Sequence, residues 1–402
     1  MEQGFNQTPR ANRVHIGIFG RRNAGKSSLI NAITGQTVSV VSEIRGTTTD
    51  TVEKAMELLP IGPVVLVDTP GMDDAGALGN LRIQQTKRAL SHTDLAILAV
   101  DAAVGMTAVE EEIAAQIQSK QVPFLLVWNK SDLLPAEKQI PEGAVLVSAK
   151  TGAGIPQLKQ RLGELFQQQN HSLPNRSLFE AALLPEDIVI LVTPIDESAP
   201  KGRMILPQVQ AIRELLDKSA ICLMVQPEQL PAALGVLNCS PRLVVTDSQA
   251  FGQVKEIVSE TIPLTSFSIL FARLKGVLQP AMEAVKQLEQ LPEGSRILIA
   301  EGCTHHRQCN DIGTVKLPKW IQAHTGKQFQ FSFSSGNSFP EDLSAFQLIV
   351  HCGGCMLNAK EMESRAAHAA AQHVPYTNYG ILIAYLNGIY TRSLQFLREL
   401  DG

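Results

Sequence analysis

The sequence predicts an α/β protein: an N-terminal P-loop domain with a doubly wound, mostly parallel sheet, followed by two smaller α/β domains. Three observations predict it. Apolar strand-like runs alternate with helical ones over nearly all of the 402 residues. Between Val14 and Phe166 the runs VHIGIFG, VVLVDTPG, LAILAV, FLLVWNK and AVLVSAK are mostly apolar throughout instead of alternating, as parallel strands covered on both faces should be. The segment GRRNAGKS (residues 20–27) joins the first of these runs to the helical SLINAI, where backbone amides and a helix N-terminus can hold phosphate.

Within that loop Gly20, Asn23, Ala24, Gly25 and Ser28 frame the phosphates, Lys26 reaches the β and γ oxygens, and the Ser27 hydroxyl ligates magnesium. Asp68 in DTPG ends a strand, where its carboxylate can hold magnesium through water, and Gly71 offers an amide to the γ-phosphate. The GTTTD segment supplies a switch threonine: Thr48 is expected on magnesium, with Thr47 and Thr49 as neighbours. Asn129, Lys130 and Asp132 form NKSD after another strand. A carboxylate at Asp132 accepts both donors on the Watson–Crick edge of guanine, which adenine lacks, so GTP is selected over ATP. Ser148, Ala149 and Lys150 supply a further base-contacting loop. Five elements in this order make residues 10–168 a GTP-binding domain, with catalysis resting on Lys26, Thr48, Asp68 and Gly71.

This domain resembles the translation-factor-like GTPases of the Era and TrmE group over residues 14–166. The resemblance implies a GTP hydrolase. Met72 stands where many small GTPases carry the glutamine that positions water, so turnover is expected to be slow. Asn23 occupies the position that ligates potassium in the potassium-activated members, where a cation offsets transition-state charge.

The chain as a whole is globular in composition, at 44% hydrophobic and 18% charged residues. A net charge of −4 gives no broad attraction to phosphate backbones, and basic residues are not interleaved with aromatic ones, which disfavours a nucleic-acid partner. MEQGFNQTPR lacks a basic and then apolar leader, and no run approaches the about 18 apolar residues of a membrane span, so a cytoplasmic protein is expected. The polar QQQNHSLPNRS, with Pro174, reads as a linker at 169–178. From there DIVILVTPI, QVQAIRELLDKSA, ICLMVQ and RLVVTD give a second α/β unit at 179–264, in which Cys222 and Cys239 read as incidental. The third, 265–402, opens on one helical stretch, FSILFARLKGVLQPAMEAVKQLEQL, and contains the strands RILIA and FQLIV and the helix NAKEMESRAAHAAAQH.

The six cysteines, in a chain with no secretory leader, point away from a disulfide framework. Cys303 and His305 come just after RILIA, in EGCTH; His351, Cys352 and Cys355 follow FQLIV in HCGGC. Ligands collect beyond the carboxyl ends of parallel strands, so both motifs fall where one site can form. A C-x-x-C turn brings two sulfurs to one metal, and Gly353 and Gly354 let the backbone bend tightly. Three thiolates suit either a structural zinc, as Cys₃His, or an iron–sulfur cluster with one variable ligand. Cys309 is close in sequence to this set. NYG at 378–380 is expected in a loop after the last cysteine, with Tyr379 as a packed aromatic.

Taken with the GTP motifs, the CTH and HCGGC signature makes the full length resemble the HydF family, the maturation GTPases of FeFe-hydrogenase. The resemblance implies that the middle domain dimerises, that the protein is a homodimer or higher oligomer, and that Cys303, Cys352 and Cys355 bind a 4Fe–4S cluster. His305, His351 and Glu301 are then candidates for the exchangeable fourth position or for contacts to cargo. It further implies a scaffold that receives a two-iron precursor from radical-SAM maturases and delivers it to apo FeFe-hydrogenase, with GTP, magnesium and potassium as cofactors. Two other readings stand beside it: a GTPase of the RNA-modification or ribosome-assembly type with structural zinc, and a redox sensor whose cluster gates hydrolysis.

Overall fold

The computed structural model describes residues 8–35, 52–69, 86–134, 140–170, 177–179, 183–195, 204–302, 311–336 and 338–401. The chain divides into two compact units, Met1–Asn175 and Arg176–Gly402.

In the first unit, strands β1 (Val14–Phe19), β2 (Val52–Leu58), β3 (Gly62–Asp68), β4 (Leu95–Asp101), β5 (Phe124–Asn129) and β6 (Val145–Leu146) form one sheet in the order β2-β3-β1-β4-β5-β6. All neighbours are parallel except β2, which runs antiparallel to β3 at the edge. The strand β2 was not foreseen: VEKAMEL carries Glu53, Lys54 and Glu57 among its apolar residues and lacks the continuous apolar run of the inner strands, as an edge strand can. AVLVSAK contributes only the two residues of β6. Helices α1 (Lys26–Thr34), α2 (Ala108–Ser119) and α3 (Ile155–Asn170) cover the sheet.

The core is in two layers because strand side chains alternate in direction. Ile16, Ile18 and Leu66 pack with Leu29 and Ile33 of α1 and Leu158 and Leu162 of α3. Phe19, Leu98, Val100 and Trp128 pack with Ile113 and Ile117 of α2. Register then aligns the chemistry: Ile18 pairs with Asp68 and Asp101 with Asn129, so the motif-bearing strand ends share one edge.

The second unit holds two four-stranded, all-parallel sheets. The first is built from β7 (Ile188–Val192), β8 (Ile221–Val225), β9 (Leu243–Thr246) and β10 (Leu264–Ser266), in the order β10-β9-β7-β8, with helices α4 (Leu206–Asp217), α5 (Leu230–Val236) and α6 (Phe251–Ile257). After α7 (Phe267–Leu274) and α8 (Leu278–Val285) comes the second, β11 (Arg296–Glu301), β12 (Gln330–Ser335), β13 (Leu348–His351) and β14 (Tyr376–Asn378), in the order β12-β11-β13-β14. Its helices are α9 (Leu317–Thr325), α10 (Ala359–Ala371), α11 (Tyr379–Leu386) and α12 (Tyr390–Asp401).

The long helical stretch expected after residue 265 is two helices. Gly276 adopts φ 72° between them, which ends α7 at Leu274. NYG is likewise no loop: Asn378 ends β14 and caps α11, its side chain accepting from the Ile381 amide at 2.8 Å. The two sheets share a hydrophobic core, in which Val189 and Val244 of one and Ile297 and Val350 of the other belong to a single cluster with Leu270 and Leu382. Arg392 of α12 reinforces the join by donating to the carbonyls of Val258, Ser259 and Ile262.

Candidate functional site

At the nucleotide loop, Gly25 has φ 85°, and a Cβ there would stand 2.3 Å from the Asn129 amide nitrogen, so only glycine permits this turn. Asn23 is also left-handed, at φ 63°, and its side chain is exposed. The buried Lys26 donates from Nζ to the carbonyls of Gly20 at 3.0 Å and Arg21 at 2.9 Å. Ser27 Oγ donates to Asp68 Oδ2 at 2.5 Å, which brings together the two groups expected on magnesium. Burial raises the pKa of Asp68, and the Ser27 hydroxyl, Lys26 and Lys54 only partly offset that effect.

Asn129 joins three motifs. Its Nδ2 donates to the Ala24 carbonyl at 3.0 Å and its Oδ1 accepts from the Ala149 amide at 3.0 Å. Lys130 Nζ donates to Asp101 Oδ2 at 2.7 Å. Ser148 Oγ donates to Oδ1 of the exposed Asp132 at 2.6 Å, which ties the two base-contacting loops expected from sequence to each other. Lys150 is exposed at the end of the same loop, and Ser28 is exposed in the first turn of α1. Thr48 and Gly71 lie outside the described residues, as do Thr47, Thr49 and Met72.

Sequence reasoning missed a support beneath this loop. Glu110 of α2 is fully buried, its Oε2 accepts from the Thr107 amide at 3.0 Å, and its Oε1 lies 3.4 Å from Nε of Arg21. The signal was present as TAVE, a capping box that places the acid at the start of a helix.

In the second unit, β11 and β13 are parallel neighbours, so Glu301 and His351 end their strands at the same edge of the sheet. The Cys352 amide donates to the Ala300 carbonyl at 2.8 Å, and Cys352 Sγ accepts from the Gly302 amide at 3.1 Å and the Gly354 amide at 3.4 Å. Gly354 has φ 61°, and a Cβ there would press on Met362 Sδ at 2.4 Å. Burial pushes the Cys352 thiol up to about 11, against the two amides, and raises Cys355, which Lys275 pulls back. Cys303, His305 and Cys309 lie outside the described residues.

Glu301 is buried and accepts from the Tyr379 hydroxyl at 3.2 Å; burial, and then this carboxylate, hold that phenol well above its usual range. His351 is fully buried with both ring nitrogens engaged: Nδ1 donates to the Cys352 carbonyl at 2.8 Å and Nε2 accepts from Arg365 Nη1 at 3.1 Å. Burial and the Arg365 charge lower its pKa to about 3. A ligand role for His351 would require one of these two hydrogen bonds to be given up. Among the described residues, Cys352 and Cys355 are the thiols here, and Glu301 ends the neighbouring strand. No cluster of three or more His, Cys, Asp and Glu side chains arranged to bind a metal occurs among the described residues.

Lys275 and Arg365 were not foreseen. Arg365 lies on α10 and binds Glu361 Oε1 at 2.7 Å and the Gly336 carbonyl at 2.7 Å. No helix among the described residues is long and apolar enough to cross a membrane.

Three family models match parts of the chain. Residues 15–130 match the family model of the 50S ribosome-binding GTPase. The chain is 40% identical over 162 residues to the tRNA modification GTPase MnmE of Synechococcus sp. (strain JA-3-3Ab), covering 39% of this chain and 34% of that protein. GTPase Der of Wolinella succinogenes is 30% identical over 197 residues, covering 43% of this chain and 42% of Der. The chain therefore spans less than half the length of these relatives. Among solved structures, an Era variant from Aquifex aeolicus bound to GDP and AlF4⁻ matches at 20% identity and TM-score 0.34, covering 56% of this chain and 98% of that one. Residues 178–276 match the hydrogen maturase F dimerization domain, and residues 279–396 the hydrogen maturase F tetramerization domain. These two together cover more than half of the chain, and with the GTPase domain before them the protein belongs to the hydrogen maturase F (HydF) family of hydrogenase maturation GTPases.

Proposed function

We propose that this GTPase is a scaffold that binds a 4Fe–4S cluster at Cys303, Cys352 and Cys355, accepts a two-iron precursor from radical-SAM maturases and delivers it to apo FeFe-hydrogenase. The observation that carries this reading is the environment of Cys352. Its sulfur accepts two backbone amides in a buried turn and lies near a buried lysine. Burial alone keeps these thiols protonated, but the amide donors at Cys352 and the lysine beside Cys355 offset part of that cost for sulfur carrying negative charge, the form in which cysteine binds metal. The donor set therefore fits the group. Cys352 and Cys355 would hold it together with Cys303, which comes directly after Gly302 in sequence. When bound, the cluster supplies an iron site whose fourth ligand can be exchanged for cargo.

Glu301 is the described candidate for that fourth position, and Tyr379 holds its carboxylate in place. A carboxylate binds this soft centre more weakly than a thiolate does, so it can be displaced. In the other unit, Lys26 and Ser27 hold the phosphates and magnesium, Asp68 orients the metal's water, and Thr48 and Gly71 complete the γ-phosphate site. Asn23 takes potassium, and with Met72 after DTPG hydrolysis is slow. That suits a switch that changes partner affinity better than an enzyme acting on the cargo. The protein works in the cytoplasm as a dimer or larger assembly, without nucleic acid.

The test is delivery. Protein loaded by its maturases should activate cofactor-free FeFe-hydrogenase. Cluster-containing protein that hydrolyses GTP yet never activates the hydrogenase would leave a sensor in place of a carrier.

A further inference from the structure

Lys275 comes directly after α7 and is 3% exposed, so its ammonium does not reach water. Nζ donates to the carbonyl of Gly354 at 2.6 Å and to that of Leu357. These two residues bracket Cys355, and the lysine therefore grips the turn that carries the cysteine pair. The Phe271 ring lies beside it, with its centroid 5.6 Å from Nζ. Among the described residues no carboxylate stands within ion-pair range of Lys275; the acidic groups near enough to act on it are the thiols of Cys355 and Cys352.

A buried ammonium is costly unless hydrogen bonds and an opposite charge offset it. Two carbonyls supply the hydrogen bonds. Among the described residues the groups placed to supply the opposite charge are the sulfurs, which carry it when they bind metal. A methionine or leucine would fill this place between α7 and the turn without desolvating a cation, so packing alone does not account for a lysine.

We infer that Lys275 is the fixed counter-charge and positioning residue of the cysteine site: it orders the turn at 354–357 and offsets the negative charge of a sulfur-ligated centre held by Cys352 and Cys355. The inference rests on the cluster reading above. Charge and clamp have separate signatures. A positive charge beside a cluster favours the form with one more electron and raises its reduction potential, whereas hydrogen bonds to carbonyls order the turn in either redox state.

The experiment uses the full chain, reconstituted anaerobically with iron and sulfide. The midpoint potential is read by electron paramagnetic resonance during a mediated redox titration, and iron retention is read against a chelator. Lys275→Met should shift the midpoint to lower potential and release iron several-fold faster than the parent, while Lys275→Arg should hold the parent midpoint. Where circular dichroism shows that Lys275→Met is unfolded, Lys275→Gln, which keeps a donor and loses the charge, should show the same downward shift. A neutral variant that binds the cluster at the parent potential overturns the inference. A parent protein that takes up zinc and forms no cluster overturns the underlying reading before any variant is compared, and the inference with it.

Discussion

Asn129 Nδ2 donates to the Ala24 carbonyl at 3.0 Å across 105 residues of sequence, and the same side chain accepts from Ala149, so one buried amide holds the phosphate loop against the base loop. Asn129→Ala removes both bonds and leaves the buried Ala24 carbonyl without this partner. At about 1 kcal/mol for each bond, the loss is about 2 kcal/mol. Expressed as nucleotide affinity, that is a weakening of about tenfold or more. A fluorescent-nucleotide titration checks it, and unchanged affinity would show that the two loops hold their places without Asn129.

Asp68 and Ser27 share the short contact expected to flank magnesium, and burial raises the Asp68 pKa. The carboxyl thus takes up its proton at a higher pH than an exposed aspartate. A protonated carboxyl cannot hold the metal's water, so the magnesium requirement of GTP turnover should rise as pH falls, beginning above the ordinary carboxylate range. Asp68→Asn should need more magnesium at neutral pH and lose this acid dependence. Turnover measured against magnesium at several pH values decides, and a parallel pH response in parent and variant would exclude Asp68 as its source.

Asp132 accepts from the Ser148 hydroxyl at 2.6 Å, and the sequence expects this carboxylate to read the base. Asp132→Asn exchanges an acceptor for a donor and should turn preference from guanosine toward xanthosine nucleotides. Competition binding between GTP and XTP reads the change; retained guanine preference would put the base contact elsewhere.

His351 sits between the Cys352 carbonyl and Arg365 with neither nitrogen free. His351→Gln should therefore lower stability, by about 1 to 3 kcal/mol for the disturbed buried pairing, while iron per chain after reconstitution is maintained. Thermal unfolding and iron analysis together check this. Loss of iron with unchanged stability would identify a ligand.

The strand-end chemistry was legible because local sequence dictates it. GRRNAGKS, DTPG, NKSD, SAK and HCGGC each come after an apolar run, and parallel strands bring the segments at their carboxyl ends to one edge. The supports were not legible. Lys275 reads in sequence as an ordinary cation at a helix C-terminus, where it complements the dipole. Its partners lie 79 and 82 residues away, and only the packing of α7 on the 352–357 turn brings them together. Arg365 on α10 and His351 on β13 meet for the same reason. The merging of the cores behind the two smaller sheets is also a product of tertiary packing, since each sheet's own sequence pattern looks self-sufficient.

The central claim is that the cysteines of the second unit hold an iron–sulfur cluster, and anaerobic reconstitution tests it most directly. Iron and acid-labile sulfide analysis with low-temperature electron paramagnetic resonance should report a 4Fe–4S cluster in the parent chain and its loss in Cys352→Ser. Stoichiometric zinc with no iron–sulfur signal, or an undiminished cluster in Cys352→Ser, would contradict the account.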